Sequence, residues 1–378
     1  MTRFIHTGDW QLGMTRHFLS PDAQARYSEA RLEAVRDIAK LARTEGCSFV
    51  TVSGDVFESN HLDRQVVVRA LDAMAAFDVP VYLLPGNHDP VNAGSVYRSS
   101  TFRDHCPEQV VLLDSSNAVT VPGTDVELLG APWDSKRPLD DLVAKVCTEL
   151  TSSDQALRVV VAHGAVDEGS PNLGDPALIA VTAAEVAIRS GCVHYIALGD
   201  RHSVTEVGGT GRIWYAGTPL VTDYDEVEPN HVLLVDLDRN SVAVERRPIG
   251  SWQFVRRSFE VNNQTEVDIV RDWLEDINDK RRTVVKLSFV GTLNLTGKAQ
   301  LDAVLAHYAD LFAALETWER HTELLVLPDD ADLHDLGLSG FAVEAVNELG
   351  NLAGSAGPAA IVAQDALGLL YRLAGRRP

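Results

Sequence analysis

A chain of 378 residues, 45% hydrophobic and 23% charged, has the make-up of a folded globular protein of two domains rather than a disordered or fibrous one. Its formal net charge of −21 excludes a protein that coats nucleic acid non-specifically, because such binding rests on many Lys and Arg contacts to phosphates. It leaves a nuclease open, since a divalent cation or a partner can bring the positive charge that a phosphate needs.

No run of about 18 apolar residues occurs, and Met1 leads within a few residues into a polar motif, so a soluble, cytoplasmic protein with no membrane partner is expected. Cys47, Cys106, Cys147 and Cys192 are scattered, without a C-x-x-C pair. They read as small buried residues of a reducing compartment, not as disulfides or zinc ligands.

In chain order, residues 3–7 predict a short apolar strand, left through Gly8-Asp9-Trp10-Gln11-Leu12-Gly13. Asp9 and Gln11 lie two apart, so in extended or turning backbone both side chains can converge on one ion. Over residues 21–45, Leu32, Val35, Ile38, Ala39 and Ala42 fall on one helical face, and Gly46 is the stop. Residues 48–52 form a second strand, which ends in Ser53-Gly54-Asp55-Val56-Phe57-Glu58. A helix over 63–76 returns the chain to a strand over 79–83, which delivers Leu84-Pro85-Gly86-Asn87-His88-Asp89. Strand, helix, strand, helix, strand is the pattern of parallel crossovers in a layered α/β domain, whose sites lie beyond the strand ends. Taken alone, Gly86-Asn87-His88-Asp89 fits an ordinary Asn turn with a solvated His as well as a metal-binding turn.

The middle of the chain predicts strands over 110–114, 126–129, 159–162, 195–198, 212–216 and 231–236, with one helix over 139–150. Two of these strands end in further metal-type residues, His163-Gly164 and Gly199-Asp200-Arg201-His202. Beyond residue 250 a smaller α/β module follows: strands over 252–261, 283–289 and 323–327, and helices over 266–277 and 299–311. Two apolar helical stretches, 341–349 and 358–374, close the chain.

Carboxylates, neutral oxygen donors and histidines at successive strand ends suit a pair of divalent ions that clamp the attacking and leaving oxygens of a phosphoryl centre. At these residues the chain resembles the calcineurin-like metallophosphoesterases, whose motifs run D-x-H, G-D, G-N-H-[DE], H or G-H, and G-H-x-H. Within that superfamily, residues 6–13, 197–202 and 215–219 are similar to the DNA repair nucleases of the SbcD type, the nuclease subunit of the bacterial SbcCD complex. The resemblance implies a layered α/β sandwich over 1–250, a C-terminal α/β capping and DNA-binding module over 251–335, and an ATPase-docking helical segment over 336–378. It implies one metal held by Asp9, Gln11, Asp55 and His202 and another by Asp55, Asn87, His163 and Asp200, with Asp55 bridging and His88 catalytic without being a ligand. It further implies an exonuclease or endonuclease acting on DNA with an SbcC-like SMC ATPase, as a homodimer.

Gln11 and Asp200 depart from the family pattern, which has His at both positions. Oxygen in place of nitrogen favours Mn²⁺, or Mg²⁺, over Zn²⁺. Glu58 reads either as a DNA-handling residue or as a solvated side chain. Arg256, Arg257, Lys280, Arg281, Arg282 and Lys286 cluster in sequence in the second module; if their strands pair, they form one basic patch for DNA, the alternative being solvated strand-edge charges. Two other functions fit the same residues: a phosphodiesterase for a small nucleotide or a phosphoprotein, and a weakly catalytic scaffold for a partner ATPase.

Overall fold

A computed structural model of the protein describes residues 1–152, 155–326, 340–353, 355 and 357–374. The chain divides into two compact units, one of Met1–Arg16 with Gln24–Trp252 and the other of His17–Ala23 with Gln253–Pro378. The expected break near residue 335 lies outside the described residues.

The first unit opens with β1 (Thr2–Thr7), α1 (Pro21–Thr44), β2 (Phe49–Val52), α2 (Arg64–Met74), β3 (Val81–Leu83), α3 (Ser100–His105) and β4 (Val110–Leu112). It continues with β5 (Val119–Thr120), β6 (Val126–Ala131), α4 (Leu142–Thr148), β7 (Leu157–His163), α5 (Val181–Arg189), β8 (Tyr195–Gly199), β9 (Thr205–Glu206) and β10 (Ile213–Tyr215). The hairpin β11 (His231–Leu237) and β12 (Val242–Pro248) returns to the first sheet. Sheet order is β12-β11-β1-β2-β3-β4 in one layer and β5-β6-β7-β8-β10-β9 in the other. The crossovers β1–β2, β2–β3 and β3–β4 are parallel, as the alternating pattern predicts.

Period-two alternation sorts the strand residues into layers. Ile5, Val50, Val52, Val81 and Leu83 face outward onto Val35, Ile38, Leu71 and Met74 of α1 and α2. Phe4, Phe49, Tyr82, Val159, Val161 and Tyr195 face inward and form the core between the sheets, where the Phe4 and Phe49 rings stack at 4.6 Å. Val160, Ala162 and Ile196 face the other way, onto α4 and α5. The result is a helix, sheet, sheet, helix sandwich. His163 shares the parity of Val159 and Val161, which turns its ring inward at the strand end.

The helix expected over 139–150 is shorter, because Asp141 caps it: its Oδ1 accepts the Ala144 N–H at 2.9 Å. Helix α5 is not apparent in the sequence, since Val181, Thr182, Val186 and Ile188 are β-branched in a nine-residue helix.

In the second unit β13 (Gln253–Glu260), β14 (Thr283–Leu293), β15 (Ala314–Thr317) and β16 (Glu323–Val326) form one parallel sheet. The long β14 pairs with β15 along its first half and with β16 along its second. Helices α6 (Gln264–Asp276) and α7 (Leu295–Ala309) cover Phe259, Val285, Leu287 and Phe289. Helices α8 (Phe341–Ala353) and α9 (Pro358–Ala374) pack on Leu295 and Val326 through Val346, Ala353, Ala363 and Leu367. Among the described residues no helix is long and apolar enough to cross a membrane.

The basic cluster of this unit is not a single patch. β13 and β14 do pair, which sets Arg256 beside Lys286, both over the Trp318 ring at 4.9 and 5.7 Å. Alternation sends Arg257 to the other face, over Phe259 and Trp273 at 4.6 and 5.1 Å. Lys280 turns back to the Glu275 and Ile277 carbonyls at the end of α6, and Arg282 lies 3.8 Å from Asp279. Arg281 is exposed.

Candidate metal centre

The loops after β1, β2, β3 and β8, with His163 as the last residue of β7, carry every candidate ligand. Past the ends of β1 and β2 the two loops stay paired: Asp9 N donates to Gly54 O (3.1 Å), Gln11 N to Asp55 O (2.8 Å) and Leu12 N to Val56 O (2.9 Å). Asp9, Gln11, Asp55 and Asp200 have φ of 52°, 44°, 50° and 102°, four of the seven non-glycine residues with positive φ among the described residues. Such backbone costs about 1–3 kcal/mol per residue. Its concentration here marks a loop edge bent to aim oxygen donors at one place.

Two glycines make the approach possible. A β-carbon at Gly54 would stand 2.2 Å from His163 Nδ1, and one at Gly86 would stand 2.3 Å from Asp55 Oδ1. Any side chain at either position displaces a candidate ligand.

Asp9, Asp55 and His163 are buried and offer ligand atoms that all lie within 4.8 Å of one another. His163 rests Nδ1 on Ser53 O (2.9 Å), so Nε2 faces the cluster, 3.5 Å from Asp55 Oδ1 and 3.7 Å from Asp200 Oδ1. One end of the Asn87 amide lies 2.9 Å from His163 Nε2 and 3.1 and 3.0 Å from the two Asp55 oxygens. An amide nitrogen there would donate to the Asp55 oxygens; an amide oxygen there faces both of them as a third acceptor, a conflict that a cation among them resolves.

The second group adjoins the first. His202 Nε2 lies 3.9 Å from Asp9 Oδ1 and 3.2 Å from the Gln11 amide nitrogen, while Gln11 Oε1 is buried without a hydrogen-bond partner. Asp200 N–H donates to both Asp9 oxygens at 3.1 Å. These unsatisfied polar atoms and crowded acceptors fit divalent cations. His88 stands apart: its Nδ1 lies 2.9 Å from Glu58 O, Nε2 is 3.9 Å from Asp55 Oδ2, and the side chain is 37% exposed.

Burial pushes the Asp9 carboxyl up to about 7, with Asp55 and Asp200 adding to the shift and His202 and His163 opposing it. Burial would lower His163, but Asp55, Asp200 and Asp9, together with the Ser53 carbonyl, outweigh it and lift the ring to about 9. Cations that bind here must therefore displace protons.

The family model of the calcineurin-like phosphoesterases matches residues 2–204. The chain belongs to this family. Calcineurin-like phosphoesterases are metal-dependent phosphoester hydrolases, and the donor cluster of this member lies at the strand ends where such a centre is built. Similar solved structures include TT1561 of Thermus thermophilus, at 10% identity, TM-score 0.40, and coverage of 65% of this chain and 98% of that one. A dimetal phosphatase from Danio rerio is 15% identical, at TM-score 0.39, with 66% of this chain and 98% of that one covered. No curated protein matches the chain.

The structure brings all eight candidate residues of this phosphoesterase into one network and adds others. Trp133, after β6, donates its indole N–H to His163 O (2.6 Å) and sets its ring edge-on to the imidazole. Asp89 accepts from Gly86 N, Phe57 N and Tyr97 OH at 2.7, 3.0 and 2.6 Å and so ties the His88 turn to the Asp55 loop. Glu58 is not simply solvated: burial raises its pKa, Oε1 lies 3.8 Å from His88 Nδ1, and Oε2 is buried with no hydrogen-bond partner.

Two outcomes are expected of this phosphoesterase's donors. Mn²⁺ affinity rises with pH: below about 7 protons on Asp9 and His163 both compete, and from there to about 9 only that on His163 does. Each displaced proton contributes roughly one log unit per pH unit. A calorimetric pH series checks this, and a flat profile would contradict it. In addition, Gln11→His with Asp200→His raises affinity for Zn²⁺ relative to Mn²⁺, since imidazole suits Zn²⁺ better than an amide or a further carboxylate. Competitive titration reads the ratio; no change would remove both side chains from the ligand set.

Proposed function

We propose that the protein is a two-metal DNA nuclease, cutting phosphodiester bonds as an exonuclease or endonuclease with Mn²⁺ or Mg²⁺, in DNA repair beside an SMC-like ATPase. The observation that carries the phosphoester chemistry is the pair of donor groups meeting at buried Asp9 and Asp55, with His88 outside both. Support for DNA as substrate comes from the SbcD-like residues 6–13, 197–202 and 215–219. Arg256 and Lys286 beside Trp318 add cations and an aromatic face, a combination that suits a nucleic acid strand.

Asp9, Gln11, Asp55 and His202 would hold one cation and Asp55, Asn87, His163 and Asp200 the other. Bound there, the pair would supply Lewis acidity toward a phosphoryl oxygen and a more acidic water. His88 Nδ1–H donates to the Glu58 carbonyl, which leaves Nε2 facing the cluster; the imidazolium form, with a second proton on Nε2, would pass that proton to the leaving oxygen and be left neutral. The paired loops and the two glycines hold the donors before substrate arrives, so little reorganisation is needed.

The test incubates the purified chain and Mn²⁺ with labelled single- and double-stranded DNA, beside bis-p-nitrophenyl phosphate as a small diester. Cleavage of both substrate types, stopped by chelation, is expected. Diester hydrolysis without DNA cleavage would favour a small-molecule phosphodiesterase, and neither activity would favour a scaffold.

A further inference from the structure

The two candidate histidine ligands are backed differently. His163 rests its Nδ1 on the backbone carbonyl of Ser53, a group that any residue at that position provides. His202 rests its Nδ1 on side chains, Glu226 Oε1 at 2.9 Å and Thr222 Oγ1 at 2.7 Å. The Glu226 side chain is only 6% exposed. Its second oxygen accepts the Thr222 N–H at 2.9 Å, and its first also accepts the Thr222 hydroxyl.

We propose that Glu226 is a positioning residue that sets metal affinity at the Gln11–His202 position independently of the Asn87–His163 position. The proposal rests on the two-metal reading above. A carboxylate behind an imidazole keeps the proton on Nδ1 and makes Nε2 the more basic ligand atom. That Nε2 lies 3.2 Å from the Gln11 amide and 3.9 Å from Asp9 Oδ1. Gln11 brings a neutral amide where the family pattern has an imidazole, so this position lacks one strong donor. The carboxylate behind His202 offsets that loss, whereas the other position, with Asp200 added, needs no such support.

Glu226 is held where it can act. Tyr27 OH donates to Val221 O (2.6 Å), the Arg16 guanidinium donates to Thr222 O, and Asn230 Oδ1 accepts the Val221 N–H (2.9 Å). The segment before Glu226 is thus anchored on Tyr27 of α1, on Arg16 ahead of that helix and on Asn230 just before β11, and the carboxylate faces His202 as a fixed part of the fold.

The test titrates metal-stripped full-length protein with Mn²⁺, following the free ion by its electron paramagnetic resonance signal. Wild type is expected to take two ions per chain. Glu226→Gln weakens one of them about 10–100-fold and leaves the other in place. In a His202→Ala background, adding Glu226→Gln brings no further loss, because the ring through which it acts is gone. Equal weakening of both ions, additive losses in this cycle, or an unchanged titration would each overturn the proposal. Should Glu226→Gln not fold, Thr222→Val is expected to weaken the same single ion, and weakening of both would count against it. A wild type that binds no Mn²⁺ would sink the two-metal reading itself, a result distinct from two ions that ignore Glu226.

Discussion

Asp55→Ala is expected to abolish phosphodiester hydrolysis and metal binding together. The Asp55 carboxylate is buried beside both donor groups: Oδ1 lies 3.5 Å from His163 Nε2, and both oxygens face the Asn87 amide at 3.1 and 3.0 Å. As the proposed bridge it serves two ions, so its loss removes more than one ligand's worth of affinity and leaves Asp9 and Asp200, one in each donor group, without a shared carboxylate between them. Metal ions supply several kcal/mol of charge stabilisation in such sites. At about 1.4 kcal/mol per tenfold, this amounts to a loss on the order of 10³-fold or more. Hydrolysis of bis-p-nitrophenyl phosphate and Mn²⁺ binding, measured on the same preparation, check it; wild-type turnover would refute the bridge.

His88→Ala is expected to separate the two properties. Its ring is 37% exposed, its Nδ1 is committed to the Glu58 carbonyl, and its Nε2 stands 3.9 Å from Asp55, in reach of a substrate bound across the cluster. Removing a general acid typically costs about 10²–10⁴-fold in rate. The variant should load Mn²⁺ as wild type does, and the loss should shrink for a diester whose leaving group needs no proton. Loss of metal would move His88 among the ligands.

Much of this was legible in the sequence, for a physical reason. Buried strands read as apolar runs, and a Gly-polar turn after each run places its side chains at a sheet edge, so Asp9, Asp55, Asn87, His163 and His202 could be named from local pattern. The strand alternation that turns His163 inward follows from the same pattern. What stayed hidden depends on distant neighbours. Glu226 lies in Asp223-Tyr224-Asp225-Glu226, which reads as a solvated acidic loop, and only the fold sets it under His202. Trp133 follows one more strand but has no metal-type chemistry to flag it. Helix α5 is rich in β-branched residues, and β5 and β9 are two residues each, too short for periodicity. The basic residues after position 255 lie close in sequence, yet alternation and a helix end send them in different directions.

The most direct test of the two-metal centre is diester hydrolysis measured while Mn²⁺ is added back to metal-stripped protein in known equivalents. The structure predicts activity that rises to a plateau at two ions per chain and does not appear in Asp55→Ala. Full activity at one ion per chain, or activity that survives complete removal of metal, would contradict it.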